Sequence, residues 1–135
     1  MFKLIEERRA WQDVSFPGLT EEGEQVENKV EMQFVLLSTD ENLALLHEAR
    51  DLTVDAKASE EGEDVVPGET LSKVMARFGM KILRDWRGVG EANGDPIKFN
   101  EASLARFFNV PGTFEATLKA YRAAIAGGKD ARSGN

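Results

Sequence analysis

From Val26 to Leu37 the chain alternates: Val26, Val30, Met32, Phe34 and Leu36 share one parity, and Glu27, Lys29, Glu31 and Gln33 share the other. A period of two is that of a β-strand with one buried face. This is the strongest constraint in the sequence, because such a strand needs a hydrogen-bonding neighbour and its apolar face needs a cover. The neighbour is upstream. Arg9 to Phe16 places Ala10, Val14 and Phe16 on one side and stops at Pro17-Gly18, which predicts an antiparallel pair. Between the two runs, Gly18 to Glu24 is rich in acid and glycine and reads as a mobile hairpin loop.

The cover must come from the helical patterns downstream. Thr39 or Asp40 caps a short helix, with Asp40 and Glu41 in its first turn, where the helix dipole favours them. Leu43, Leu46 and His47 are read toward its core side, and the pattern fades near Leu52. Residues 54–68 offer almost nothing to bury and read as a flexible acidic loop. Leu71, Val74, Met75, Phe78, Ile82 and Trp86 then recur at three and four residue intervals, predicting a long helix from about Glu69 to Arg87. On its opposite side Lys73, Arg77, Lys81 and Arg84 form a basic stripe, read either as a solvated helix back or as a docking surface.

A turn-rich segment, 88–99, contains Asn93-Gly94 and Pro96. Asn100 can cap a helix with Leu104, Phe107 and Phe108 inside; Pro111-Gly112 breaks it, and Thr113 is read as the cap of a last helix carrying Phe114, Leu118, Tyr121 and Ile125. Gly127-Gly128 stops that helix, and 127–135 reads as a disordered tail. The sum is one α+β domain over 1–126, with a small antiparallel sheet from the N-terminal third packed against a mostly helical C-terminal two-thirds.

Composition narrows the function. At 135 residues the chain has room for one ordinary domain. It holds no cysteine and one histidine, which excludes thiol nucleophiles, cysteine-based metal centres and imidazole-rich sites. The acids Glu60, Glu61, Glu63 and Asp64 lack the spaced ligands of a calcium loop, and the glycines 88, 90 and 94 follow a predicted helix without a Gly-Lys-Ser/Thr ending. No serine has a nucleophile-elbow context, so an enzyme is not expected and no cofactor is implied. Neither a signal peptide nor a membrane span is read, so the expected location is cytoplasmic. Charge is uneven: residues 1–68 carry 6 basic and 17 acidic side chains, and residues 69–135 carry 11 basic and 7 acidic. The net charge of -7 and the lack of aromatic residues among the bases argue against nucleic acid as a partner.

Asp85-Trp86-Arg87-Gly88-Val89-Gly90, then Asn93-Gly94-Asp95-Pro96-Ile97-Lys98-Phe99-Asn100, then Leu104, Phe107, Pro111 and Ala120-Tyr121 resemble the tail assembly chaperones of long-tailed bacteriophages. In that family a helix ends in a Trp-Gly-Val element, a Gly-x-Pro-Ile/Val turn leads to Phe and a helix cap, and a last helix ends in an Ala-Tyr pair. The likeness spans about 40 residues. Weaker similarity reaches Phe16-Pro17-Gly18 and the strand around Met32 to Leu36.

The resemblance implies a non-enzymatic protein of the host cytoplasm. It would bind the tape-measure protein, and tail tube subunits, keep them soluble until the tail polymerises, and be absent from the virion. Self-association is left open, and neither nucleic acid nor membrane is an expected partner. Such a chaperone needs exposed or exposable hydrophobics rimmed by charge. The candidate partner-binding residues are Lys73, Arg77, Lys81, Arg84 and Arg87 with Phe107, Phe108 and Tyr121, while Trp86 and Phe99 serve either packing or client contact. Two other classes compete: a small regulatory or inhibitor protein docking through the basic helix face, and a minor structural subunit of the virion. In many relatives a backward one-nucleotide ribosomal slip extends a minor product; here Gly127-Gly128-Lys129 is compatible with the slippery sequence, placing the slip after the last helix.

Overall fold

The computed structural model describes residues 1–4, 7–60 and 70–127. It is an α+β domain in the order β1 (Arg8–Leu19), β2 (Gln25–Leu36), α1 (Thr39–Glu60), α2 (Leu71–Gly79), β3 (Leu83–Arg87), α3 (Glu101–Phe108) and α4 (Thr113–Ile125). The sheet is antiparallel with β2 in the centre.

The alternation of β2 holds from Val30 to Phe34, where Val30, Met32 and Phe34 are buried, whereas Val26 near the hairpin end is 39% exposed and Val35, of the other parity, is buried. β1 pairs with it along its whole length, Val14 opposite Val30 and Gln12 opposite Met32. It does not stop at Pro17-Gly18 but continues to Leu19. β1 lies at the sheet edge, where a residue without an N–H can be accommodated. The connection is correspondingly tighter than the expected loop, closed by Thr20 N–H to Glu24 O and Gly23 N–H to Thr20 O, each 2.9 Å.

The predicted helix over 69–87 is instead a helix, a turn and a strand. α2 ends at Gly79, whose missing side chain lets it pack on α3; a Cβ there would lie 2.8 Å from Leu104 Cδ2. Two short-range bonds, Lys81 N–H to Phe78 O and Ile82 N–H to Gly79 O, turn the chain toward the sheet. β3 then pairs with β2, but the register slips: Asp85 opposes Gln33 and Leu83 opposes Phe34. Arg84 is the extra residue of a β-bulge, so Leu83 and Trp86, three apart, both face the core. A bulged strand thus imitates helical spacing.

α1 also departs from expectation. Its buried side is Leu45, Ala49 and Leu52, whereas Leu43 is 66% exposed and His47 is exposed. The alanine occupies the seam, which shifts the helix phase away from the larger Leu43. The helix runs on to Glu60, so 54–60 is not loop. The rest of the predicted acidic loop, with Glu61, Glu63 and Asp64, and the tail beyond Gly127 lie outside the described residues. No helix among the described residues is long and apolar enough to cross a membrane.

Helices cover one face of the sheet. α4 lies across it, with Tyr121 against Phe34 at 5.8 Å between ring centroids and Thr117 Oγ1 3.9 Å from Met32 Sδ. α4 is not capped by Thr113. Gly112, at φ 86°, precedes the helix, and the Thr113 hydroxyl donates to Phe107 O at 2.7 Å and Val110 O at 2.8 Å, satisfying carbonyls at the end of α3. Ile125 is 42% exposed, outside the core in which it was placed.

Aromatic rings link the layers. Phe107 meets Phe16 at 5.6 Å, Trp86 at 5.7 Å and Phe108 at 5.8 Å, and Phe108 leads through Phe114 at 5.1 Å to Phe78 at a further 5.7 Å. Trp86 is 6% exposed, touches Phe99 edge-on at 5.2 Å, and donates its indole N–H to Ile97 O at 2.8 Å. Trp86→Ala is therefore expected to destabilise the fold by about 3–5 kcal/mol, the range for large aromatics in cores. Trp86→Phe keeps a ring but loses the indole donor and should cost less. Urea unfolding followed by circular dichroism checks both; a wild-type midpoint in Trp86→Ala would contradict the anchoring role.

Candidate functional site

α3 stands as a ridge between two surface grooves. Its start is fixed by a reciprocal cap: Asn100 Oδ1 accepts from Ser103 N–H at 2.8 Å, and Ser103 Oγ accepts from Asn100 N–H at 2.9 Å. Ser103 Oγ also donates to Lys98 O at 2.7 Å, so the cap is tied to the preceding turn. With Leu104, Phe107 and Phe108 turned inward, Ala102, Ala105, Arg106 and Asn109 are left toward the outside.

The first groove, of about 580 Å³, runs between α2 and α3. Its lining includes Ala76, Ala102 and Ala105, with Lys73 and Arg77 on one side and Arg106 on the other. Ala76 is fully buried beneath it, and Ala102 and Ala105 of α3 lie further out.

The second groove, of about 340 Å³, lies on the other flank of α3. Phe16, Val30, Val89, Ile97, Phe107 and Val110 line it, together with Gly88, Gly90 and the polar Asn28, Lys29 and Ser103. This groove is built by the turn segment. Gly90 bridges to Pro96, Glu91 N–H donates to Asp95 O at 2.8 Å and Ile97 N–H donates to Val89 O at 2.9 Å, making a small irregular hairpin. Gly88 sits at φ 87°, a conformation that favours glycine. Val110 is 48% exposed and gives the groove an apolar lip.

Arg106 borders both grooves and spans from α3 to the turn, its guanidinium 2.9 Å from the Glu91 carboxylate. That hydrogen bond holds the Glu91 carboxyl below the usual glutamate range, and the carboxylate in turn raises Arg106.

The residues expected to bind a partner are not brought together as one stripe. Lys73 and Arg77 stay side by side on α2 and edge the first groove. Lys81 lies in the turn and pairs with Glu48 of α1 at 3.1 Å. Arg84, on β3, reaches Glu7 at 3.3 Å and donates to the carbonyls of Met80 and Leu83. Arg87 faces the open side of the sheet, its guanidinium 3.7 Å from the Trp11 ring centroid. The single-helix stripe fails because α2 ends at Gly79, which leaves Lys81 in the turn and Arg84 on β3. Phe107 and Phe108 are buried and hold α3 to its neighbours, though Phe107 also forms part of the second groove's wall. Tyr121 is fully buried on the inner face of α4; burial pushes its phenol up, against a lowering pull from the Leu37 backbone.

Sequence reasoning missed Arg106, Glu91, Ala102, Ala105 and Val110. The alanines sit at i and i+3 on the outer face of α3, a spacing legible once Leu104, Phe107 and Phe108 define the inner one. Nothing in the sequence announces the Arg106 to Glu91 pair, which closes across 15 residues. Among the described residues no group of three or more His, Asp or Glu side chains could hold a metal ion. The linings offer methyl groups, rings, amide and hydroxyl groups and charged side chains.

The chain matches no protein-family model, and no curated protein or solved structure is significantly similar to it.

Because the folded Glu91 carboxyl is depressed, the pair contributes stability above the ordinary glutamate range and loses it as pH falls through the lowered value. A carboxyl titration by NMR should find Glu91 below the ordinary glutamate range, returning to that range in Arg106→Gln. An unchanged midpoint in that variant would separate the two residues.

Proposed function

We propose that the protein is a phage tail assembly chaperone, which binds the tape-measure protein, and tail tube subunits, and keeps them soluble in the host cytoplasm during tail morphogenesis without entering the virion. One observation carries the reading: residues 86–107 of the resemblance form one connected unit. Trp86 is bonded to Ile97, Gly90 is bridged to Pro96, and Asn100 is locked into the cap of α3. That unit walls a groove whose apolar part runs from Phe16 and Val89 to Val110 at its lip, with Lys29 and Arg106 beside it. Apolar surface rimmed by charge is what reversible capture of an amphipathic client requires.

The regulatory alternative rested on a basic face along one helix, and the division of those bases among α2, the turn and β3 removes its main support. A minor virion subunit remains as an outcome of the test.

Co-expression with the tape-measure protein of the same phage should raise the client's soluble fraction, and the two should co-purify. Val110→Glu, at an exposed position, should keep the fold and weaken capture. Mass spectrometry of purified particles should find the tape-measure protein and not this chain. Its presence there at stoichiometric level would overturn the chaperone reading in favour of a structural subunit, and absence of any soluble complex would overturn it as well.

A further inference from the structure

The turn that walls the second groove carries a chemically labile bond. Asn28, Asn42, Asn100 and Asn109 precede lysine, leucine, glutamate and valine, whereas Asn93 precedes Gly94. Glycine puts no side chain between an asparagine amide and the following backbone nitrogen. Both residues are exposed, Gly94 sits at φ 93°, and open space surrounds its Cα where a side chain would stand.

We infer that Asn93 is a site of spontaneous covalent modification, in which the Gly94 backbone nitrogen attacks Asn93 Cγ to close a succinimide that water reopens as aspartate or isoaspartate. In the first step the bond from Gly94 N to Asn93 Cγ forms and the bond from Cγ to Nδ2 breaks. The Gly94 nitrogen gives its proton to solvent, and Nδ2 leaves as ammonia. In the second, water adds to one of the two ring carbonyls: cleavage at Cγ gives aspartate, and cleavage at the Asn93 backbone carbonyl gives isoaspartate. Water is the co-reactant, and nothing is oxidised or reduced.

The fold restrains this reaction. Gly94 N–H donates to Glu91 O at 2.9 Å, Asn93 Oδ1 accepts from Asp95 N–H at 3.0 Å, and Asn93 Nδ2 donates to Asp95 Oδ2 at 3.2 Å. Nucleophile and electrophile are each held by another group, so ring closure waits for the turn to open. Conversion then acts on the turn itself. Asp95 meets a carboxylate where it had an amide donor, and like charges so close repel. Isoaspartate also lengthens the main chain by a methylene inside the loop closed by Glu91 N–H to Asp95 O. The Gly90 to Pro96 bridge and the bond from Ile97 N–H to Val89 O belong to the same hairpin, so the wall of the second groove loosens with it. This chemistry belongs to the chain itself and holds whatever partner the groove receives.

The purified full chain, incubated in mildly alkaline buffer with and without urea, is digested and mapped by mass spectrometry. Asn93 should convert before the asparagines at 28, 42, 100 and 109, giving both aspartate and isoaspartate peptides, and about tenfold or more slowly in the folded chain than in urea, as for a reaction that needs local opening. Asn93→Gln, whose longer side chain closes a ring far more slowly, should keep its amide over the same period. Asn93→Asp should keep the circular dichroism of the wild type while the amides of Gly94 and Ile97 exchange faster. Earlier conversion of another asparagine, or an intact Asn93 in the urea-unfolded chain, would overturn the site. Equal rates with and without urea would overturn the restraint by the fold, and wild-type exchange in Asn93→Asp would overturn the effect on the turn.

Discussion

The contact on which this structure most depends is that of Trp86 with Phe107 and Phe99. The indole lies on β3 opposite Met32 of the central strand, touches α3 through Phe107, and secures the turn segment through Phe99 and the Ile97 carbonyl. Sheet, turn and helix therefore meet at one side chain. Phe107 extends the junction to β1 through Phe16, and Phe108 extends it to α4 and α2 through Phe114 and Phe78. Edge-on ring pairs of this kind add to the burial of apolar area that dominates the core. Loosening the junction would free the turn, and with it the wall of the second groove.

The parts legible in the sequence are those where one face is buried and the local pattern is unmixed. β2 announced itself by parity, α3 by the Asn100 cap and its inward phenylalanines, and the turn segment by Asn93-Gly94 and Pro96. The misreadings have physical causes. Leu83 and Trp86 share a face only because Arg84 bulges, so the bulged strand carries a helical interval. α1 seats Ala49 in its seam and leaves Leu43 outside, because fit between layers decides the helix phase more than residue size does. Pro17 was read as a stop, yet an edge strand accommodates it.

The candidate site was less legible than the fold, because it depends on where elements meet. Lys73 and Arg77 were found from helical spacing, but their counterpart Arg106 comes from another helix. The apolar lip at Val110 lies in the link between α3 and α4, a place that no periodicity marks. The aromatics that sequence alone offered as client contacts are largely spent on cohesion, and the exposed groove linings are left to small residues, charged side chains and one half-exposed valine.

The most direct test of this account is amide hydrogen exchange of the chain alone and in complex with the tape-measure protein. The account predicts slower exchange along the turn-segment flank of α3, at residues 88–90 and 101–110, with the open sheet face around Trp11 and Arg87 unchanged. Protection confined to that sheet face, or none in a complex shown to form, would contradict it.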